Sequence, residues 1–322
     1  MAAKPTALTT VGIAKETTPG TPVAASAFIP SGVPSPKDVV KLVADKGLRG
    51  SMVEEYGETP TVKHSTFDFS GDVYPDIIGW MLTGVLGDVT TTGASAPYTH
   101  AIAVLNTGDG QPPSYTLTDN YSVNTRQYPG AKFSDLDIKF SADGLITYSA
   151  KSVAFSSATT TAPTASYTSA PPIPAYIGVV SIGGTQVNGM LDGELSIKRP
   201  VTVIDAVDGS QNPYLLWSGP VAVSGKLTLV MEDETQLTNY LTNVQPALDF
   251  TWTQGAGATL TSIQLHMSSV VYQTAEIGRG KDYVEISVSF NAKANATDVG
   301  ASGGYSPIKA TIKNAINTGV YK

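Results

Sequence analysis

Three histidines, His64, His100 and His266, are the side chains best suited to proton transfer or metal binding, and they lie on separate segments. None has an acidic or histidine neighbour at the spacing a metal site or a general base needs, so each is expected to serve structure. Gly278-Arg-Gly-Lys281 resembles a phosphate loop only superficially, since the full G-x-x-x-x-G-K-[ST] pattern and its strand-loop-helix setting are missing. It predicts a turn ahead of a strand near Tyr283. The acidic run Glu232-Asp233-Glu234 fits a helix N-terminus, where the dipole favours negative charge. With no cysteine there is no thiolate ligand, no Cys nucleophile and no disulfide, and no G-x-S-x-G elbow occurs. No catalytic, cofactor or metal site is expected, and no enzyme.

The elements that would position such groups are mostly strands. Charged residues make up 15% of the 322 and apolar residues 41%, with Thr, Ser, Gly and Val abundant, which is a β-rich globular profile. In Phe133 to Phe140, Leu136, Ile138 and Phe140 share one face while Asp135, Asp137 and Lys139 share the other. Asp143-Gly144 then marks a hairpin turn before a strand within Leu145 to Phe155. Two helices are predicted. Pro75 to Leu86 sets Ile78, Met81, Leu82 and Val85 on one stripe, and Asp233 to Gln236 reads as a capping box ahead of Leu237, Tyr240, Leu241 and Val244. Gly87 to Pro113 reads as a long irregular loop, and Ser156 to Ala175 as a Ser/Thr/Pro-rich linker.

Each predicted helix follows a strand, and the halves can be overlaid as a repeat. Arg49, Val53 and Glu55 then meet Arg199, Val203 and Asp205; Phe67 and Phe69 meet Leu227 and Leu229; Ile77, Trp80 and Met81 meet Leu237, Tyr240 and Leu241. Phe133, Asp135, Leu136, Ile138 and Phe140 meet Tyr283, Glu285, Ile286, Val288 and Phe290. Two units, 1–155 and 176–322, are expected on either side of a linker at 156–175. The net charge of −7 and pI near 4.9 argue against a grip on phosphate, which needs clustered Lys and Arg. No apolar run marks a leader within Met1 to Gly20 or a membrane anchor elsewhere.

Val11-Gly-Ile-Ala-Lys-Glu-Thr-Thr-Pro-Gly-Thr-Pro-Val-Ala-Ala25 with Phe28-Ile-Pro30 resembles the start of tail tube (major tail) proteins of siphophages, bacteriophages with long non-contractile tails. Further likeness lies in Phe69 to Trp80, Arg199 to Val203 and Ile277 to Phe290. The resemblance implies a mainly β, sandwich or barrel-like core with one flanking helix per unit, duplicated in this chain. It implies a structural virion protein of the tail, assembled in the host bacterial cytoplasm. Inner sheets join between neighbours into rings, and stacked rings carry DNA during ejection. If each half is one tube unit, three chains give a pseudo-sixfold ring, with six chains as the alternative. Other tail proteins at the tube ends and passing double-stranded DNA, not specifically bound, are the remaining partners. Asp135, Asp137 and Glu285 are expected to line the lumen. Met52, Val53, Glu54, Glu55 and Tyr56, in the loop from Gly50 to Lys63, are expected to touch a stacked ring. The rival reading is an adhesin-like or carbohydrate-binding β-sandwich, but the tyrosines are scattered and no D-x-[DN]-x-[DN]-G calcium loop is present.

Overall fold

Period-two alternation of apolar and polar side chains governs most of the chain, and in the computed structural model, which describes residues 4–321, it produces an antiparallel β fold. The first half runs β1 (Thr10–Lys15), β2 (Ala27–Ile29), β3 (Ser35–Asp45), β4 (Gly57–Asp72), α1 (Ile78–Leu86), β5 (Gly87–Thr92) and β6 (Tyr98–Val104). It continues through β7 (Tyr115–Asn120), β8 (Thr125–Ser141), β9 (Thr147–Ala154) and β10 (Ala158–Thr159). The second half begins with β11 (Gly178–Ile182), β12 (Thr185–Val187), β13 (Met190–Lys198), β14 (Val201–Ile204), β15 (Leu215–Ser218) and β16 (Ala222–Val230). After α2 (Thr235–Leu241) come β17 (Leu248–Gln254), β18 (Thr261–Met267), β19 (Val270–Gly278), β20 (Glu285–Ala292) and β21 (Lys309–Asn314).

One limb of the main sheet holds eight strands in the order β19-β20-β16-β13-β8-β9-β4-β3. β8 is shared: its first half pairs with β7, which leads on to β1 and β2, and its second half lies between β9 and β13. A seven-stranded sheet, β12-β11-β17-β18-β21-β6-β5, covers the apolar face of the first. Phe140 of β8 meets Phe250 and Trp252 of β17 with ring centroids 5.3 and 5.2 Å apart, in the edge-to-face contact aromatic quadrupoles favour. The fold is mainly β and sandwich-like.

The same order of pairing occurs twice. Strands β3, β4, β9 and β8 stand side by side in the first half, and β13, β16, β20 and β19 in the second. A β-bulge follows Phe133 in β8 and Tyr272 in β19. Pairing therefore sets β8 against β19, and not against the Tyr283 to Phe290 segment that sequence spacing matched to it; alternation repeats every two residues, so many offsets fit equally. Arg49 and Arg199 do not correspond either. Arg49 is exposed in the loop after β3, whereas Arg199 is buried at the end of β13.

The helices differ in the same way from their predicted likeness. Every residue of α1 is buried, and a Cβ on Gly84 would come 2.3 Å from the Phe133 ring. α2 has no buried residue. Its N-cap is Glu234, which makes no side-chain cap bond; Asp233, one residue earlier, accepts the Thr235 N–H at 2.8 Å, and Gln236 Oε1 accepts a hydrogen bond from the Tyr272 hydroxyl instead of closing a capping box. Gly87 to Pro113 is not one irregular loop: β5 and β6 form a hairpin inside the seven-stranded sheet, because Val89 and Ile102 supply buried apolar positions among the threonines and alanines. Residues 156–175 are mostly without regular structure, yet Ile173 is buried and its backbone bonds to Val73 and Ile146.

Candidate functional site

No described group of three or more acidic, histidine or cysteine side chains could hold a metal ion, and several ionisable groups inside the fold are taken up by structural contacts. Glu16, buried beside an open cleft of about 810 Å³, accepts from the Ser114 and Thr116 hydroxyls and from the Gly20 and Gly130 amides at 2.7–2.8 Å. Lys132 in the same cleft donates to the Pro112 carbonyl, and burial lowers its ammonium to about 8. His100 is buried between Thr91 and Asn314, and burial pushes its pKa down. His266 has a partner that sequence spacing did not reveal: Nδ1 lies 2.7 Å from Oδ1 of the buried Asp298. The Ser268 hydroxyl also donates to Asp298, not to the histidine, so no nucleophile and base are joined. This group pins the segment after β20 onto β18. The turn expected at Gly278-Arg-Gly-Lys281 is present between β19 and β20, with Lys281 Nζ 2.8 Å from Glu285.

What remains as functional surface is the polar face of the eight-stranded sheet, its two free edges and the hairpin tips. Leu136, Ile138, Ile286 and Val288 are buried, so alternation turns Asp135, Asp137 and Glu285 to one common outer face. That face also carries lysines. Lys139 pairs with Glu194 at 3.2 Å, and Lys151 stands directly opposite Asp135 and Asp68. Ser134 and Ser196 hydroxyls donate to Asp135 and Asp137 respectively. The face is polar with both signs of charge, set among serines and threonines of β16 and β20.

At residues 46–56, between β3 and β4, Lys46 pairs with Glu54 and Glu55, and Arg49 pairs with Asp45 and lies over the Tyr56 ring. These contacts brace the tip and leave Met52 and Val53 in solvent. The matching loop 205–214 lies against β4 instead, where Gln211 O accepts the Lys63 amide at 2.9 Å. Residues Gly57 to Lys63, expected to be loop, are the first part of β4.

β8 and β13 form the seam between the two four-stranded sets, and Arg199 closes it. Its guanidinium donates to the carbonyls of Val85 (2.8 Å) and Leu86 (3.3 Å) at the C-terminal end of α1, and to Gly110 and Gly219. A cation there satisfies carbonyls the helix leaves open and complements its dipole. Burial lowers the guanidinium to about 10.

A family model described as phage tail tube protein matches residues 6–292. The chain belongs to this family. The matched span runs from before β1 to the end of β20, so it includes both four-stranded sets and the seam, and leaves out β21. The tail tube protein is a structural component of the phage tail. None of the curated proteins matches the chain. Among the described residues no helix is long and apolar enough to cross a membrane.

Proposed function

We propose that this tail tube protein carries two tube units in tandem, residues 1–155 and 176–322 with 156–175 between them. Three chains close one ring of pseudo-sixfold symmetry, assembled in the host bacterial cytoplasm. Stacked rings form the conduit for double-stranded DNA during ejection, and other tail proteins terminate the tube. The observation behind this reading is the β8·β13 ladder, which joins two sets of strands with the same pairing order into one continuous sheet. A sheet built by repetition has the geometry to continue by repetition, and cyclic closure is the default for such assemblies. The polar outer face of that sheet is the surface offered to DNA. With a net charge of −7, Lys139 paired with Glu194, and Lys151 set opposite Asp135 and Asp68, the wall has little to release counterions with, so the duplex passes without being held. Native mass measurement of isolated rings, with rotational averaging of tube cross-sections, tests the stoichiometry. Rings of three chains are expected. A ring of six full chains makes the second half a decoration and defeats the tandem reading.

A further inference from the structure

One transverse row crosses each four-stranded set: Pro36, Phe67, Ser152 and Phe133 in the first, Leu195, Gly225, Phe290 and Tyr272 in the second. Both rows end one residue before a bulge, on β8 and on β19. The rows therefore fix which residues correspond. Within the chain, Leu195 of the second row stands opposite Ile138 of β8, and both are buried, at 1% and 3% exposure. At the two ends of the sheet these positions are uncovered. Among the described residues β3 pairs only with β4 and β19 only with β20, and Ile277, which matches Ile138, is 38% exposed.

Resting on the tube reading above, we infer that a second copy of the chain docks its β3 antiparallel along β19, in the register of the internal seam, with Pro36 opposite Ile277 and Lys37 opposite Glu276. That register places opposite charges face to face. Lys37 and Glu276 are both exposed, and neither is in an ion pair among the described residues. In the internal seam the same place holds the Ser196 hydroxyl donating to Asp137. Directly opposed unlike charges support a cross-strand pair, whereas like charges destabilise it. The one departure is Pro36, which cannot donate to the ladder, a substitution that sheets tolerate at edges.

The helices carry the same asymmetry. α1 lies against β8 at the internal seam and is covered, with Arg199 on its last carbonyls. α2 lies against β19 at the open end, with Tyr240, Leu241 and Val244 exposed. In the inferred register Val40, itself 46% exposed, takes the place of Arg199 and meets this apolar end of α2. An exposed apolar helix end beside an open strand edge is the form a self-complementary surface takes before assembly.

The test uses the full chain, which has no cysteine of its own. Lys37→Cys with Glu276→Cys places two thiols directly opposite, within disulfide reach. Oxidised rings are expected to run on denaturing gels as covalent multimers ending at trimer. Lys37→Cys with Thr274→Cys, two residues out of register, is expected to give at least roughly tenfold less. Lys37→Glu alone should cut assembly by about tenfold, and adding Glu276→Lys should restore it. Circular dichroism of the unassembled variants checks that they fold. Tubes that assemble without the 37–276 cross-link, or with the shifted one preferred, overturn the register and leave the tube reading standing. Wild-type protein that forms no rings defeats the tube reading itself.

Discussion

Arg199 and Asp119 are both buried ionisable residues with opposite surroundings, and they lead to opposite expectations. Arg199 serves four carbonyls drawn from α1, the loop after β6 and the turn before β16. Arg199→Met keeps much of the packed stem but strands those acceptors, and a loss of about 3 kcal/mol is expected from the unmet desolvation cost. Denaturant titration of unassembled protein reads it, and Arg199→Lys, with one compact donor group, should recover less than half. Asp119 is 4% exposed, its Oδ1 has no partner, and Arg126 beside it is turned to Asp38 and Ser157. Burial raises its carboxyl to about 6. The folded state thus holds this proton more tightly than the unfolded chain, so the contribution is fully present below about pH 4 and is lost as pH rises through 6. By pH 7.5 the cost is on the order of 2 kcal/mol. Asp119→Asn should flatten that slope, seen as a stability difference from wild type that grows between pH 4 and 7.5; parallel curves would mean that Asp119 finds a partner in solution. Alternation made Asp135, Asp137 and Glu285 legible in the sequence as one wet face. It could not reveal Asp298 beneath His266, because 32 residues separate them along the chain, nor Asp119, which breaks the apolar pattern of β7.

At the level of elements, the two helices and the β8–β9 hairpin were legible because each has a strong local signal: an apolar stripe, an acidic run just before the first turn and an Asp-Gly turn. The β5–β6 hairpin was not, since its pattern is written in Thr, Gly and Ala, which also compose loops. The order of strand pairing recurs in the two halves, but the residue correspondence was not legible, because bulges shift it and alternation cannot fix it. The 46–56 tip shows how an element can be folded and still unpartnered. Its charges are consumed internally by Lys46 and Arg49, while Met52 is fully exposed and Val53 more than half so. Solvated apolar side chains on a braced tip cost nothing in the monomer to replace, and each is worth about 1.5–3 kcal/mol if buried by a neighbour. Met52→Asp with Val53→Asp is therefore expected to leave the melting temperature and ring formation unchanged while abolishing growth beyond single rings. Tubes of normal length from this variant, seen by negative stain, would remove the tip from the stacking contact.

For the whole molecule the decisive feature is that one sheet has a polar face, an apolar face and two open ends. The apolar face is consumed by the seven-stranded sheet; in the proposed ring neighbouring copies take up the ends, which leaves the polar face for whatever passes through. Asp135 and Asp137 sit on β8 at the centre of this sheet, and Glu285 on β20 near one end, so in the proposed three-chain ring they recur at intervals around the wall. Each of these half-buried carboxylates faces water on one side and is worth about 1 kcal/mol or less against a phosphate there. In the proposed tube their effect is collective, because every ring presents them again; the neighbouring Lys139 is paired with Glu194, and Lys151 stands opposite Asp135 and Asp68. A wall so balanced neither binds the duplex by counterion release nor repels it strongly. Changing Asp135, Asp137 and Glu285 to Lys reverses nine charges per proposed three-chain ring, frees Lys281 from Glu285 and removes one carboxylate opposite Lys151. Assembly should survive, since all three side chains lie off the core and off the inferred docking register. Genome passage should slow by roughly tenfold or more, and raising the salt should restore it, as counterion release predicts. The measurement is the ejection rate of phage built with the variant at two ionic strengths. A normal rate at low salt, from tubes of normal structure, would place these carboxylates on the outside of the tube and the lumen elsewhere.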